Sequence, residues 1–233
     1  MKIRPVILCG GAGTRLWPQG ENNLAKQFID FGGWSLLEKT LERIKGSNFD
    51  YPILSTNIKY LKLIKAYLKK FKVKEYKIVL EPSKRNTAPA ILASALINVI
   101  PKKQALMFFS ADHMIEKVSK FNKAINKNKK NLTDQNIFIF GIKPTSSSSE
   151  YGYFLSKKSN KNINKVVKFI EKPTLIKAKQ VIKKNAYWNS GMFFLRKDSI
   201  IYNFKKYSPT IYKHCTEAVQ KAKLKNHTYY LNK

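Results

Sequence analysis

The stretch "ILCGGAGTRLWPQGENNLAKQF", residues 7–28, follows an apolar run and places three of the chain's 10 glycines within four positions. Gly10, Gly11 and Gly13 can bring backbone N–H groups close to an anion, because no Cβ atoms stand in the way. Arg15 adds a planar fork of donors that suits phosphate oxygens. The stretch therefore predicts a loop that cradles phosphate groups after a first buried strand.

Two well-known phosphate loops do not fit this stretch. A Walker loop needs Gly-Lys-Ser/Thr, and "GGAGTRLWP" contains no lysine. The dinucleotide-binding fingerprint needs a third glycine where Leu16 stands. A purely structural glycine turn is the remaining alternative, and the continuation "TRLWP" followed by "LAKQF" argues against it.

The charge of the chain suggests anionic partners. The net charge is +31, and 40 of the 45 basic residues are lysines spread along the chain, against 5 arginines. Nucleic-acid readers usually carry clustered arginines with interleaved aromatic residues, and no recognisable nucleic-acid module is present. We therefore expect a lysine-rich solvated surface that favours anionic substrates and no specific nucleic acid. A basic RNA-binding protein stays open as an alternative.

The length of the chain and its cysteines limit the classes of protein to which it can belong. The 233 residues suffice for one large domain, and no apolar run approaches the length needed to cross a bilayer. The start "MKIRPVILCGG" is too short for a signal peptide. Cys9 and Cys215 stand far apart without metal-ligand spacing. These features predict a cytoplasmic protein without a membrane partner.

The order of predicted elements indicates an α/β fold. Strands alternate with helices, with strands at 3–8, 52–56, 77–81, 105–110 and 136–142, and helices at 35–45, 59–71, 88–100 and 117–130. Such alternation predicts a Rossmann-like, mixed but mostly parallel sheet with helices on both faces. Beyond residue 142 we expect antiparallel strands near "YGYF", "VVKFI" and "WNSGMFFL", a helix at 174–185, and helices at 197–206 and 209–224.

Polar residues follow several of these strands, where ligands of parallel sheets collect. Asp112 comes directly after an apolar strand and suits Mg²⁺ as an oxygen ligand, although it could instead cap the next helix. Arg85, Asn86 and Thr87 open a buried helix and offer donors and acceptors for a base or ribose. Capping alone is the competing interpretation for Asn86 and Thr87, but it does not explain Arg85.

Taken in order, the motifs resemble one known family. "GGAGTRLWP", "KQF", "EPSKRNTAPA", "SADH", "YGYF", "FIEKP" and "WNSGMFF" are similar to motifs of the mannose-1-phosphate guanylyltransferases, over about residues 3–195. This resemblance implies GTP and mannose 1-phosphate as substrates, Mg²⁺ as the metal, and transfer of GMP with release of pyrophosphate. It implies one nucleotidyltransferase domain, with residues 1–142 binding the nucleotide and residues 143–233 the sugar. A homodimer is left open.

The resemblance also implies roles for individual residues. The nucleotide would be bound by Gly10, Gly11, Gly13, Thr14, Arg15, Lys26, Glu81, Arg85, Asn86, Thr87 and Asp112, and the sugar by Gly152, Glu171, Lys172 and Asn189. Arg15, Lys26, Asp112 and Lys172 would be catalytic, and Asp112 would hold the metal ion.

The chain departs from the family pattern in two places. Ala25 stands where the family usually has proline before Lys-Gln-Phe. Family members also continue to a Gly-Ser-Trp segment whose aspartate is a second metal ligand, whereas this chain stops at "NHTYYLNK". We therefore expect a C-terminally truncated domain with a weaker, one-carboxylate metal site. Transfer to another sugar 1-phosphate or from another nucleotide, and a catalytically weak nucleotide-binding fragment or regulatory subunit, remain alternatives.

Overall fold

A computed structural model describes residues 2–10, 24–46, 48–83, 85–159 and 163–232. The strands are β1 (Arg4–Leu8), β2 (Ile53–Asn57), β3 (Lys77–Glu81), β4 (Ala105–Ser110), β5 (Ile137–Ile142), β6 (Tyr153–Lys157), β7 (Lys165–Ile170), β8 (Tyr187–Arg196), β9 (Lys223–Lys225) and β10 (Thr228–Tyr230). The helices are α1 (Leu36–Arg43), α2 (Leu61–Lys70), α3 (Thr87–Leu96), α4 (Val118–Asn128), α5 (Leu175–Lys183), α6 (Lys197–Tyr207) and α7 (Pro209–Gln220). Three further residues, Lys26–Phe28, form a 3₁₀ turn.

The chain divides into two compact units, residues 1–137 with 193–233, and residues 138–192. In the first unit, β1 pairs in parallel with β2 and β4, and β2 pairs in parallel with β3. The last four residues of β8 run antiparallel to β4. The predicted mixed, mostly parallel sheet is therefore confirmed. Its parallel strands bring the residues after β1, β3 and β4 to one edge.

Helices cover both faces of this sheet. Phe108 belongs to a buried cluster with Ile91 of α3 and Ile200 of α6. Phe109, its neighbour in β4, points the other way and packs against Phe121 of α4, with ring centroids 6.1 Å apart. This alternation along β4 is what a strand buried on both faces requires.

Local signals explain where several helices begin. Ser35 and Glu38 form a reciprocal capping box at the start of α1, as the spacing of these residues predicts. Pro89 lies in the first turn of α3, and Pro209 begins α7, positions where the missing N–H costs no intrahelical bond.

The end of the chain corrects the sequence-based prediction. The helix expected over 209–224 stops at Gln220, and Leu224 lies in β9. Asn226 and His227 adopt positive φ angles of 44° and 63°, which turns the chain back into β10. β10 then pairs in parallel with β3 and extends the sheet at that edge. The helix expected over 88–100 likewise ends early, at Leu96.

The second unit is built on antiparallel strands, as expected. β6 pairs with β7 and with the first part of β8, and β5 also pairs with β8. Ala178 and Val181 of α5 pack with Tyr153 in a small core of this unit. Across the described residues of the chain, none of the helices is long and apolar enough to cross a membrane.

Candidate active site

Glu81 links three neighbouring strand ends of the first unit. Its Oε1 accepts a hydrogen bond of 2.7 Å from Ser55 Oγ on β2. A Cβ atom added at Gly10, just beyond β1, would lie 3.5 Å from the same oxygen. Burial raises the pKa of Glu81, and the bond from Ser55 opposes that shift. The structure thus brings together two residues, Gly10 and Glu81, that are 71 positions apart in the sequence.

The stem of the glycine loop is held by backbone contacts. Cys9 N–H donates to the carbonyl of Ser55 at 2.8 Å, and the Cys9 carbonyl accepts from Gln27 Nε2 at 2.8 Å. Gln27 is buried, and it belongs to the 3₁₀ turn that also carries Lys26. Its hydrogen bond to Cys9 therefore connects this turn to the end of β1. Sequence reasoning gave Gln27 no role; its only signal was its place in "KQF".

Cys9 itself is not a reactive thiol. Desolvation is the main cause that raises its pKa, and the negative charges of Asp112 and Glu81 raise it further. The thiol therefore stays protonated at neutral pH. Leu8 and Ser110 are paired across β1 and β4, so Cys9 and Asp112 follow neighbouring strand ends at the same sheet edge.

Asp112 follows β4 in a short turn. Its Oδ1 accepts a hydrogen bond of 2.6 Å from Ser110 Oγ, and 36% of its side chain is exposed. Helix α4 begins only at Val118, with Lys117 at its N-cap, so the alternative role of Asp112 as a helix cap is wrong. An exposed, oriented carboxylate fits one ligand of a hard divalent cation. Within the described ranges, no group of three or more His, Cys, Asp or Glu residues forms a complete protein site.

His113 lies beside Asp112 as a neutral ring. Its Nε2 is 3.8 Å from Asp112 Oδ1, and its backbone carbonyl accepts from Arg43 Nη2 at 2.8 Å. Burial is the main cause that lowers the pKa of His113, and the positive charges of Lys26 and Arg43 lower it further against the pull of Asp112.

The start of α3 has an unusual backbone. Asn86 has a φ of 64°, and its side chain makes no capping hydrogen bond, so the capping interpretation fails for Asn86. Arg85 Nε donates to Ser83 Oγ at 3.2 Å, and Arg85 is exposed. Non-glycine residues in this backbone region are costly and often mark functional sites. Thr87 is the first residue of α3, where backbone N–H groups lack partners within the helix.

A cavity of about 370 Å³ lies between the first turns of α3 and helix α7. Glu81 and Arg85 line it from one side, and His214 and Glu217 line it from α7. Sequence reasoning missed the two α7 residues, because their spacing indicates only an exposed helix face.

The second unit brings together Gly152, Glu171 and Asn189. Asn189 N–H donates to the Gly152 carbonyl at 2.8 Å. A Cβ atom at Gly152 would lie 2.7 Å from Glu171 Oε2, so only glycine leaves Glu171 where it is. Lys172 follows Glu171 with a φ of 41°, and both side chains are exposed. The structure thus brings three of the four predicted sugar-binding residues together where β7 ends and β6 begins, and Lys172 is the next residue along the chain from Glu171.

Gly11, Gly13, Thr14 and Arg15 lie outside the described residues. Their roles remain predictions from the sequence.

The parallel sheet and the polar cluster at its carboxyl edge define an α/β protein of the nucleotide-binding class. The chain belongs to the nucleotidyl transferase family, which it matches over residues 4–232.

Curated relatives agree with the resemblance seen in the motifs. The chain is 36% identical over 224 residues to the mannose-1-phosphate guanylyltransferase of Salmonella muenchen, covering 94% of this chain and 47% of that protein. It is 36% identical over 226 residues to the Escherichia coli protein of the same name, covering 93% and 49%. The chain thus spans about half the length of the curated relatives it matches.

Two solved structures share the fold. A Helicobacter pylori protein described as mannose-6-phosphate isomerase has a TM-score of 0.83 and 29% identity, covering 100% of this chain and 87% of that one. A Thermus thermophilus protein described as mannose-1-phosphate geranyltransferase has a TM-score of 0.81 and 26% identity, covering 97% and 67%.

Proposed function

We propose that the protein transfers GMP from GTP to mannose 1-phosphate, giving GDP-mannose and pyrophosphate. The observation that carries the proposal is the convergence of Gly10, Glu81 and Asp112 at one edge of the parallel sheet. The curated relatives that carry the name mannose-1-phosphate guanylyltransferase support the choice of substrates.

The nucleotide half of the proposal concerns residues 1–142. The backbone of Gly10, Gly11 and Gly13, with Thr14, would cradle the triphosphate, and Arg15 and Lys26 would neutralise its charge. Glu81, Arg85, Asn86 and Thr87 would hold the base and ribose. A phosphate oxygen of the sugar phosphate attacks the α-phosphorus in line. The bond from that phosphorus to the bridging oxygen breaks, and pyrophosphate leaves.

A divalent ion generally accompanies nucleotidyl transfer, and we propose Mg²⁺. Asp112 would hold the ion through a carboxylate oxygen, with phosphate oxygens of GTP as further ligands. Once bound, the ion supplies neutralisation of the negative charge on the phosphates. The bond from Ser110 orients Asp112 for this task.

The sugar half of the proposal concerns residues 143–233, of which 193–233 lie in the first compact unit. Gly152 would let the backbone approach the sugar closely, because it has no side chain. Glu171 would accept hydrogen bonds from sugar hydroxyls, and Asn189 would donate and accept. Lys172 would bind the sugar phosphate as a point charge. We place the reaction in the cytoplasm, which the unpaired, buried cysteines Cys9 and Cys215 support.

Pyrophosphate release tests the proposal. The wild-type chain should release pyrophosphate when given GTP, mannose 1-phosphate and Mg²⁺. Asp112→Asn should lower the rate at least about 100-fold, in the range seen for lost transition-state electrostatics. Asp134→Asn, which changes an exposed aspartate in the loop before β5, should leave the rate unchanged. A wild-type rate in Asp112→Asn would contradict the role of Asp112, and GTP binding without turnover would favour a nucleotide-binding fragment.

A further inference from the structure

Arg43, in the last turn of α1, is a buried cation that has no carboxylate partner among the residues that the structure describes. Only 2% of its surface is exposed, yet within the described residues it forms no ion pair. Its Nη2 donates to the His113 carbonyl at 2.8 Å, while Nε and Nη1 are buried without a partner in the same part of the chain. Burying a charge with unsatisfied donors is costly, so its presence needs an explanation.

Arg4 shows how this chain otherwise buries an arginine. It is 4% exposed and lies in β1, at the start of the sheet. Its guanidinium pairs with Asp50 Oδ2 at 2.7 Å and donates to the Tyr51 carbonyl at 2.9 Å. Arg4 and Arg43 therefore differ in partner: Arg4 pairs with a carboxylate, whereas Arg43 donates to the backbone of the turn that carries Asp112.

Arg43 joins three elements around that turn. Its guanidinium carbon lies 5.9 Å from the centre of the Phe109 ring on β4. Its own carbonyl accepts from Asn122 Nδ2 of α4 at 3.2 Å. Phe109 and His113 lie on either side of Asp112 in the sequence, so Arg43 contacts the chain both before and after this carboxylate. Burial lowers the pKa of Arg43 to about 10, and the side chain stays charged at neutral pH.

We propose that Arg43 is a positioning residue for Asp112. By binding the His113 carbonyl it fixes the peptide bond between His113 and Met114, one residue beyond Asp112, and so it holds the turn and its carboxylate in the orientation that binds the divalent ion. Loss of this bond would free the His113–Met114 peptide to rotate and loosen the turn, since the Asp112 side chain is tied only to Ser110 in the described hydrogen bonds. The inference rests on the proposed function, because it assigns Asp112 to the metal.

The positioning role is tested by measuring metal binding itself, in an assay that does not depend on turnover. Electron paramagnetic resonance would follow binding of Mn²⁺ to GTP-loaded wild type, Arg43→Lys, Arg43→Met and the control Arg4→Lys. We expect Arg43→Met to weaken Mn²⁺ binding by about 10-fold or more, as for other groups that orient metal ligands. Arg43→Lys should recover part of the affinity, because a lysine can still donate to the carbonyl. Arg4→Lys should lower the melting temperature and leave Mn²⁺ affinity unchanged.

Pyrophosphate release on the same samples separates the two claims. If Arg43→Met weakens Mn²⁺ binding but wild type releases no pyrophosphate, the proposed function fails and the positioning role stands. Folded Arg43 variants with wild-type Mn²⁺ affinity would overturn the positioning role, as would a wild type that binds no more Mn²⁺ than GTP does alone. If neither Arg43 variant folds, Asn122→Ala replaces them. Because Asn122 holds the backbone carbonyl of Arg43, its loss should weaken Mn²⁺ binding, and unchanged affinity would overturn the inference.

Discussion

Gly152→Ala separates sugar binding from stability. The added Cβ would meet Glu171 Oε2 at 2.7 Å and Phe169 Cζ at 3.0 Å, closer than the 3.4 Å of an ordinary contact. Both atoms are the ends of exposed side chains, and Phe169 is 47% exposed, so they can move aside. We therefore expect the free energy of unfolding to change by less than about 1 kcal/mol.

The effect on substrate should be larger. If the displaced Glu171 loses a hydrogen bond to a sugar hydroxyl, the loss is about 1.5–3 kcal/mol, because the acceptor is charged. That loss corresponds to a rise of about 10- to 150-fold in the KM for mannose 1-phosphate. The KM for GTP should stay within about twofold of wild type, since Glu171 is assigned to the sugar. Steady-state pyrophosphate release, with each substrate varied in turn, measures both values.

Gly141→Ala provides the matched control. Its Cβ would lie 2.7 Å from Phe154 Cζ and 2.9 Å from Tyr187 Cβ, and the latter atom is held by the backbone of β8. Overpacking of this kind costs about 1–3 kcal/mol, which should lower the melting temperature by several degrees. The assignment of Glu171 would be refuted if Gly152→Ala kept its KM for mannose 1-phosphate, or raised both KM values equally.

Two further predictions concern the nucleotide side. Burial raises the pKa of Glu81. Between the ordinary and the raised pKa, the native state therefore binds more protons than the unfolded state. The free energy of unfolding consequently falls as the pH rises through that window. In urea unfolding, Glu81→Gln should therefore be more stable than wild type at pH 7 and lose that advantage at about pH 4. If the difference in unfolding free energy between Glu81→Gln and wild type were the same at both pH values, the charge of Glu81 would not be its cause. Asn86→Gly relieves a positive φ of 64° and should gain up to about 1 kcal/mol in unfolding free energy while raising the KM for GTP. A lower melting temperature with an unchanged KM would mean that Asn86 acts only in the fold.

Alternation of strand and helix patterns made the sheet of the first unit predictable from the sequence. Continuous apolar runs such as "ALMFFS" predict strands buried on both faces, and β4 covers that run. The end of α3 was missed because Ile97 and Ile100 are still buried beyond Leu96. An apolar run continues in the sequence whether or not the helix does.

Features that depend on contacts between segments distant in the sequence could not be predicted from local patterns. β9 and β10 have three residues each, and β10 exists because β3 offers a free edge that no local pattern reveals. No local pattern in the sequence predicts the burial of Arg43 either. A basic residue in the last turn of a helix ordinarily faces solvent and favours the helix dipole, whereas its burial depends on how α1 packs against the turn after β4. The proximity of Gly10 and Glu81, in contrast, follows from parallel strands that end at one edge.

The proposed reaction transfers the nucleotidyl group of GTP, and the fate of the labelled phosphates of GTP distinguishes it from other reactions of the same substrates. The wild-type chain would be incubated with mannose 1-phosphate, Mg²⁺ and GTP labelled at either the α- or the γ-phosphate. We expect the α label to appear in a nucleotide sugar and the γ label in pyrophosphate, because attack at the α-phosphorus expels the other two phosphates together. A γ label found as free phosphate or on the sugar would contradict it.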